Sequence, residues 1–166
     1  MNPVIIIPTF ISGRRGKAPG ASVINVYDHM TPLSQPGELP RCLESLQNVN
    51  HVGQILILVV SDPGVEQKAA AKVRATADSF PDLDVTVIGA DELTLVQQRM
   101  VQLGIGKLSR EVGLFGYAPM RNLGLVLAGA LGFDSCIFLD DDAVVEDPDF
   151  VTKAVYGLGK LTRNAV

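Results

Sequence analysis

Four short apolar runs, each cut off by a turn-forming or acidic residue, limit the folds open to this chain. They are Val4-Ile5-Ile6-Ile7 before Pro8, residues 55–60 before Ser61-Asp62-Pro63-Gly64, Val85-Thr86-Val87-Ile88 before Gly89, and Cys136-Ile137-Phe138-Leu139 before Asp140-Asp141-Asp142. Continuous rather than alternating apolarity marks strands buried on both faces, so helices must cover both sides of the sheet. The intervening segments supply them. Residues 38–46 carry Pro40 near their start, where proline is tolerated, with Leu39, Leu43 and Leu46 on one face. Residues 65–80 repeat Val65, Ala69, Val73 and Ala77 at helical spacing, with Lys68, Lys72 and Asp78 on the other face. Residues 91–103 open with Asp91 as N-cap and continue through Leu93, Val96, Met100 and Leu103. Residues 119–131 bear the stripe Leu123, Val126, Leu127, Ala130 and Leu131. Alternation of this kind predicts one α/β domain over 1–166, with a mostly parallel sheet and helices on both faces. Two stretches break the rhythm: a long loop insertion at 11–36, carrying Arg14-Arg15-Gly16-Lys17 and His29, and a second loop at 104–116.

Composition removes several function classes. The 166 residues are 47% hydrophobic and 19% charged, which excludes intrinsic disorder. The net charge of −4 argues against a nucleic-acid partner, whose phosphates demand clustered Lys and Arg. Mean hydropathy of +0.26 is high for a domain this small and fits either buried strands or apolar surface awaiting a cover. Cys42 and Cys136 are too few and too far apart for a disulfide framework, and Cys136 within its apolar run reads as a small buried hydrophobe. Residues 4–7 are too short for a secretory h-region, and no apolar run reaches membrane-spanning length. The expectation is a reduced, cytoplasmic domain.

Ligands of open α/β sheets bind beyond the carboxyl ends of the strands, which directs attention to Pro8-Thr9-Phe10, Ser61-Asp62, Gly89-Ala90-Asp91 and Asp140-Asp141-Asp142. Three adjacent carboxylates at the tip of an apolar strand repel one another. A hard divalent cation such as Mg²⁺ or Mn²⁺, bridging one or two carboxylates to substrate phosphates, offsets that charge.

Pro8-Thr9-Phe10 after the first strand, the run Tyr117-Ala118-Pro119-Met120-Arg121-Asn122-Leu123-Gly124, and Phe138-Leu139-Asp140-Asp141-Asp142 together resemble the motifs of family 2 glycosyltransferases. The resemblance spans nearly the whole chain apart from 11–36. It implies a Rossmann-like A-type fold cut short after the D-x-D motif, with the acceptor-binding half absent. It also implies binding of a nucleoside-diphosphate sugar, UDP-sugar favoured over GDP-sugar, for metal-dependent and inverting transfer to an acceptor hydroxyl. Pro8 and Thr9 would then lie against the nucleobase and ribose, with Phe10 completing that motif. Asp140 or Asp141 would reach the ribose, and Asp142 with Asp140 would hold the Mn²⁺ or Mg²⁺. Arg121 would approach the base or the diphosphate, with Asn122 and Gly124 shaping the helix beneath. The family's paired aspartates after the second strand are reduced here to Ser61-Asp62, leaving Asp62 as the substrate-facing carboxylate. The family's catalytic base is expected beyond Val166, and membrane association of a longer enzyme at the cytoplasmic face is allowed.

Three other readings compete. A non-catalytic nucleotide-sugar-binding or interaction module needs no base. A nucleotidyltransferase would use Gly13-Arg14-Arg15-Gly16-Lys17 against a triphosphate. A haloacid dehalogenase-type phosphohydrolase would make Asp140 a nucleophile in Asp140-Asp141-Asp142-Ala143-Val144, but that motif normally opens its domain and here nearly closes it.

Overall fold

Strand β1 (Pro3–Ser12) and strand β3 (Ile55–Ser61) form the centre of a computed structural model that describes residues 1–13 and 30–158. They pair in parallel from Ile5↔Ile55 to Ile11↔Ser61. From Val4 to Ile7 and from Ile55 to Val60 every side chain is buried, as continuous apolar runs require. Each such Ile, Leu or Val contributes roughly 1.5–3 kcal/mol by leaving water. Strand β4 (Val85–Ile88) lies outside β3, and strand β5 (Ser135–Phe138) pairs with the first half of β1, from Pro3↔Ser135 to Ile6↔Phe138. A short bridge, β2 (Thr31–Pro32), pairs with Ile11 and Ser12 at the far end of β1. All these pairings are parallel.

Ile5 and Ile6 pair with β3 as well as β5, and Ile11 with β3 as well as β2. A strand has two edges, so β5 and β2 share the edge of β1 that faces away from β3. The sheet therefore runs β4-β3-β1-β5, with β2 standing beyond the end of β5. The chain steps outward from β1 to β3 to β4, then returns across the sheet to β5.

The helices follow that reversal. Helices α1 (Leu39–Leu46) and α2 (Glu66–Ala77) cover one face, where Leu39, Cys42, Leu43, Leu46, Ala69 and Val73 meet Ile5, Ile7, Ile55 and Ile57. Helices α3 (Ala90–Gln102) and α4 (Tyr117–Ala130) cover the other, where Met100, Met120, Leu123 and Leu127 meet Val4, Ile6, Leu56 and Leu58. Outward steps on one face and the return on the opposite face give every crossover the same hand, the rule for parallel sheets. Helix α5 (Phe150–Val155), which follows the aspartates, adds Val151 to the α1 side. The result is a Rossmann-like α/β sheet.

Several local expectations are corrected. Pro8 does not end the first strand, which runs on to Ser12. The Ile5 N–H points to β3, donating to the Gln54 carbonyl, so Ile6, Pro8 and Phe10 direct their main-chain groups to the other edge. Pro8 thus turns its missing N–H toward the stretch between β5 and β2, where no ladder bond is required of it. Gly89 rather than Asp91 precedes the first turn of α3, and the Glu92 carboxylate accepts the Gly89 N–H at 2.8 Å. In α4 the buried stripe is Met120, Leu123, Gly124, Leu127 and Ala128, whereas Val126 and Leu131 are exposed. The cause is Gly124: a Cβ there would stand 3.0 Å from Ile6 Cδ1 and from Phe138 Cζ, so the helix turns its glycine inward to lie close on the sheet. The 104–116 loop contains a 3₁₀ turn (Gly106–Glu111). Cys136 is only partly buried, because β5 has one neighbour and lies at the sheet edge. Among the described residues no helix is long and apolar enough to cross a membrane. Arg14, Arg15, Lys17 and His29 lie outside the described residues.

Candidate functional site at the strand-order reversal

The order of strands reverses between β1 and β5, and the carboxyl ends of this pair flank the crevice in which open α/β sheets bind ligands. The three aspartates leave β5 at this point. The Leu139 N–H still donates to the Ile6 carbonyl at 3.0 Å, after which the Ala143 N–H closes a turn on the Asp140 carbonyl at 3.1 Å. Side-chain alternation continues from the strand. Leu139 packs with the α1-side core and Phe138 with the α4-side core. Asp141 continues the α1 side, where Thr9 of β1 donates a 2.5 Å hydrogen bond to Asp141 Oδ2. Asp140 is exposed, and Asp141 and Asp142 are half-buried.

Helix α1 holds the acidic turn from beneath through three neighbouring side chains. Arg41 Nη2 donates to the Asp142 carbonyl at 3.2 Å, and the Cys42 thiol points at the Asp140 carbonyl across 3.8 Å. Ser45 Oγ accepts the Val145 N–H at 3.0 Å while donating to the Cys42 carbonyl at 2.7 Å. None of these residues was singled out from the sequence. The one signal was a small polar residue, Ser45, set among the apolar positions of an amphipathic helix. What it pairs with, a hundred positions away, carries no local mark.

The electrostatics reflect three carboxylates in a confined space. Burial raises the Asp141 pKa, the Thr9 hydrogen bond partly offsets this, and the charges of Asp142 and Asp140 raise it further. Below the turn, burial first and then the Asp141 and Asp142 charges push the Cys42 thiol up to about 12. Among the described residues no group of three or more His, Cys, Asp or Glu side chains forms a ready-made metal cage.

The remaining sequence-derived candidates divide between the crevice and the scaffold. Arg121 of α4 stacks over the Phe138 ring, 5.1 Å from its centroid, and over Tyr117 at 4.6 Å, with Nη2 donating to the Tyr117 hydroxyl at 2.8 Å. This guanidinium therefore stands at the end of β5, on the α4 side of the turn. Asn122 points elsewhere, donating to the Glu111 carbonyl at 2.8 Å and tying the 3₁₀ turn to α4. The Phe10 ring is buried in the α4-side core, so its side chain does not reach the crevice. Asp62 is buried, and its Oδ2 accepts both the Ser12 hydroxyl at 2.8 Å and the Gly13 N–H at 3.0 Å. In this arrangement Asp62 fixes the point where the chain leaves β1. A separate 170 Å³ cleft opens beyond β3 and β4, lined by residues that include Val59, Ser61, Glu66, Leu93 and Phe115. The acidic turn contributes nothing to that cleft.

Comparison of the chain with protein-family models, curated proteins and solved structures returns no match.

Proposed function

We propose that this chain binds a nucleoside-diphosphate sugar in the β1–β5 crevice, as the donor-binding part of a glycosyltransferase. The observation that carries this reading is the acidic turn at the strand-order reversal, hydrogen-bonded to β1 through Thr9 and Asp141. A parallel sheet offers its ligand site at that crevice, and an anionic diphosphate can share a crevice with carboxylates only if cations intervene. Asp142 and Asp140 suit a hard divalent ion that completes its shell with phosphate oxygens and water, an arrangement needing only one or two carboxylates and no protein cage. Such an ion, when bound, would offset the charge developing on the departing nucleoside diphosphate. Asp141, committed to Thr9, orients the turn.

The chain's own residues define the rest of the site. Arg121, held flat by Tyr117 and Phe138, presents a fixed positive charge to a diphosphate or an edge-on partner to a base. Pro8 turns its main-chain carbonyl toward the stretch of the β1 edge between β5 and β2, where a ribose or base can be read without side chains. The proposal concerns donor binding.

Calorimetric titration of UDP, GDP and UDP-glucose, with and without Mn²⁺, tests the reading. Metal-dependent binding that is lost in Asp142→Ala supports it, with UDP-sugars expected to bind more tightly than GDP. A folded protein that ignores all three nucleotides in the presence of Mn²⁺ rules it out.

A further inference from the structure

Four large aliphatic side chains stand exposed around the end of α3. Val101 lies in its last turn, Leu103 and Ile105 just beyond it, and Leu108 in the 3₁₀ turn, with 43–62% of their surface open to solvent. The segment is a compact reversal. The Ile105 N–H donates to the Met100 carbonyl at 3.0 Å and the Leu108 N–H to the Ile105 carbonyl at 2.9 Å. Gln97 then ties the returning chain to α3 through the Ser109 and Val112 carbonyls. Because α3 begins at the carboxyl end of β4 and runs back along the sheet, its last residues lie away from the acidic turn, and the 3₁₀ turn then returns toward α4, where Glu111 meets Asn122.

Charge sets the corner apart as much as apolarity. The whole chain carries −4, yet residues 99–111 contain Arg99, Lys107 and Arg110 against a single acid, Glu111 at the end of the 3₁₀ turn. All three cations are exposed, and among the described residues none forms an ion pair. Aliphatic side chains flanked by Lys and Arg are the chemistry of a surface that settles on anionic lipid headgroups. A protein partner would more commonly be met by aromatic anchors in a pocket. This corner has no aromatic residue, and none of the four aliphatic side chains lines the 170 Å³ cleft.

We infer that the α3–3₁₀ corner, through Leu103, Ile105 and Leu108 with Arg99, Lys107 and Arg110, docks on an anionic membrane surface. This inference does not depend on the nucleotide-sugar reading.

Co-sedimentation of the full chain with vesicles tests it. Phosphatidylcholine vesicles containing phosphatidylserine should carry the protein down, and pure phosphatidylcholine vesicles should not. Replacing the cations together (Arg99→Gln, Lys107→Gln, Arg110→Gln) should weaken binding by roughly tenfold or more. The chain has no tryptophan, so Leu108→Trp provides a single reporter whose emission should shift to the blue on adding the anionic vesicles. Binding to neither vesicle, or equal binding to both, overturns the inference. So does a dimer in analytical ultracentrifugation that Leu103→Asn with Leu108→Asn dissolves, since the corner would then be a contact between copies.

Discussion

The Thr9 hydroxyl donates a 2.5 Å hydrogen bond to the Asp141 carboxylate, joining the central strand to the acidic turn across 132 positions of sequence. It satisfies one oxygen of a half-buried acid and sets the direction in which the turn leaves the sheet. The neighbouring carboxylates are thereby placed at the mouth of the crevice, and the central one is turned inward.

The charge on Asp141 works against the fold. Burial, reinforced by Asp142 and Asp140 and only partly offset by Thr9, raises its pKa. A carboxyl with a higher pKa in the folded state binds more protons there, so folding loses stability as pH rises from the unfolded aspartate range through the raised value. Asp141→Asn retains an oxygen that can accept from Thr9 and removes the charge. With chelator present, the variant should melt a few degrees above the parent at neutral pH, and the gap should close in acid below the unfolded aspartate pKa. Thermal melts across that range check this; a variant that melts lower at neutral pH would contradict the assignment.

Ser45→Ala removes the acceptor for the Val145 N–H and leaves a partly buried amide without its partner. The expected cost is about 1–2 kcal/mol, seen as a lower urea midpoint with an unchanged slope. Hydrogen exchange should quicken at Val145 more than at the central strands β1 and β3. Uniform acceleration would mean that Ser45 supports the whole fold rather than the turn.

Much of the scaffold was legible because burial on two faces leaves a direct mark: the four apolar runs became β1, β3, β4 and β5. The crevice was legible in outline, since aspartates after an apolar strand announce a strand tip. Illegible were the features set by long-range pairing. Pro8 reads as a stop, and only the gap between β5 and β2 makes it a strand residue. Nothing local in the sequence marks Asp62 as the acceptor for Ser12 and Gly13, which share one of its oxygens. The α4 stripe was rotated because apolar size was weighed and the small residue facing Ile6 and Phe138 was not.

Gly124 should resist even a methyl group. An alanine Cβ would stand 3.0 Å from Ile6 Cδ1 and Phe138 Cζ, and Ile6 is fully buried with little room to give. Helix propensity favours alanine by ~1 kcal/mol, whereas overpacking costs ~1–3 kcal/mol. Gly124→Ala should therefore be destabilising on balance by about 1 kcal/mol in urea unfolding. Gly129→Ala in the same helix meets no atom within 4 Å and should stabilise. If both variants stabilise, the close approach of α4 to the sheet is wrong.

Cys42 offers a way to watch the seal between α1 and the acidic turn. Its side chain is fully buried, and burial together with the Asp141 and Asp142 charges pushes the thiol up to about 12, so almost no thiolate exists at neutral pH. In a Cys136→Ser background the remaining thiol should be inert to a disulfide reagent in native buffer and react fully in urea. Adding Ser45→Ala should speed its native labelling, because losing the Val145 bond makes local opening of the turn easier. Prompt native labelling without that second change would show that α1 does not close over the turn, and the aspartates would then lack the support that orients them in the crevice.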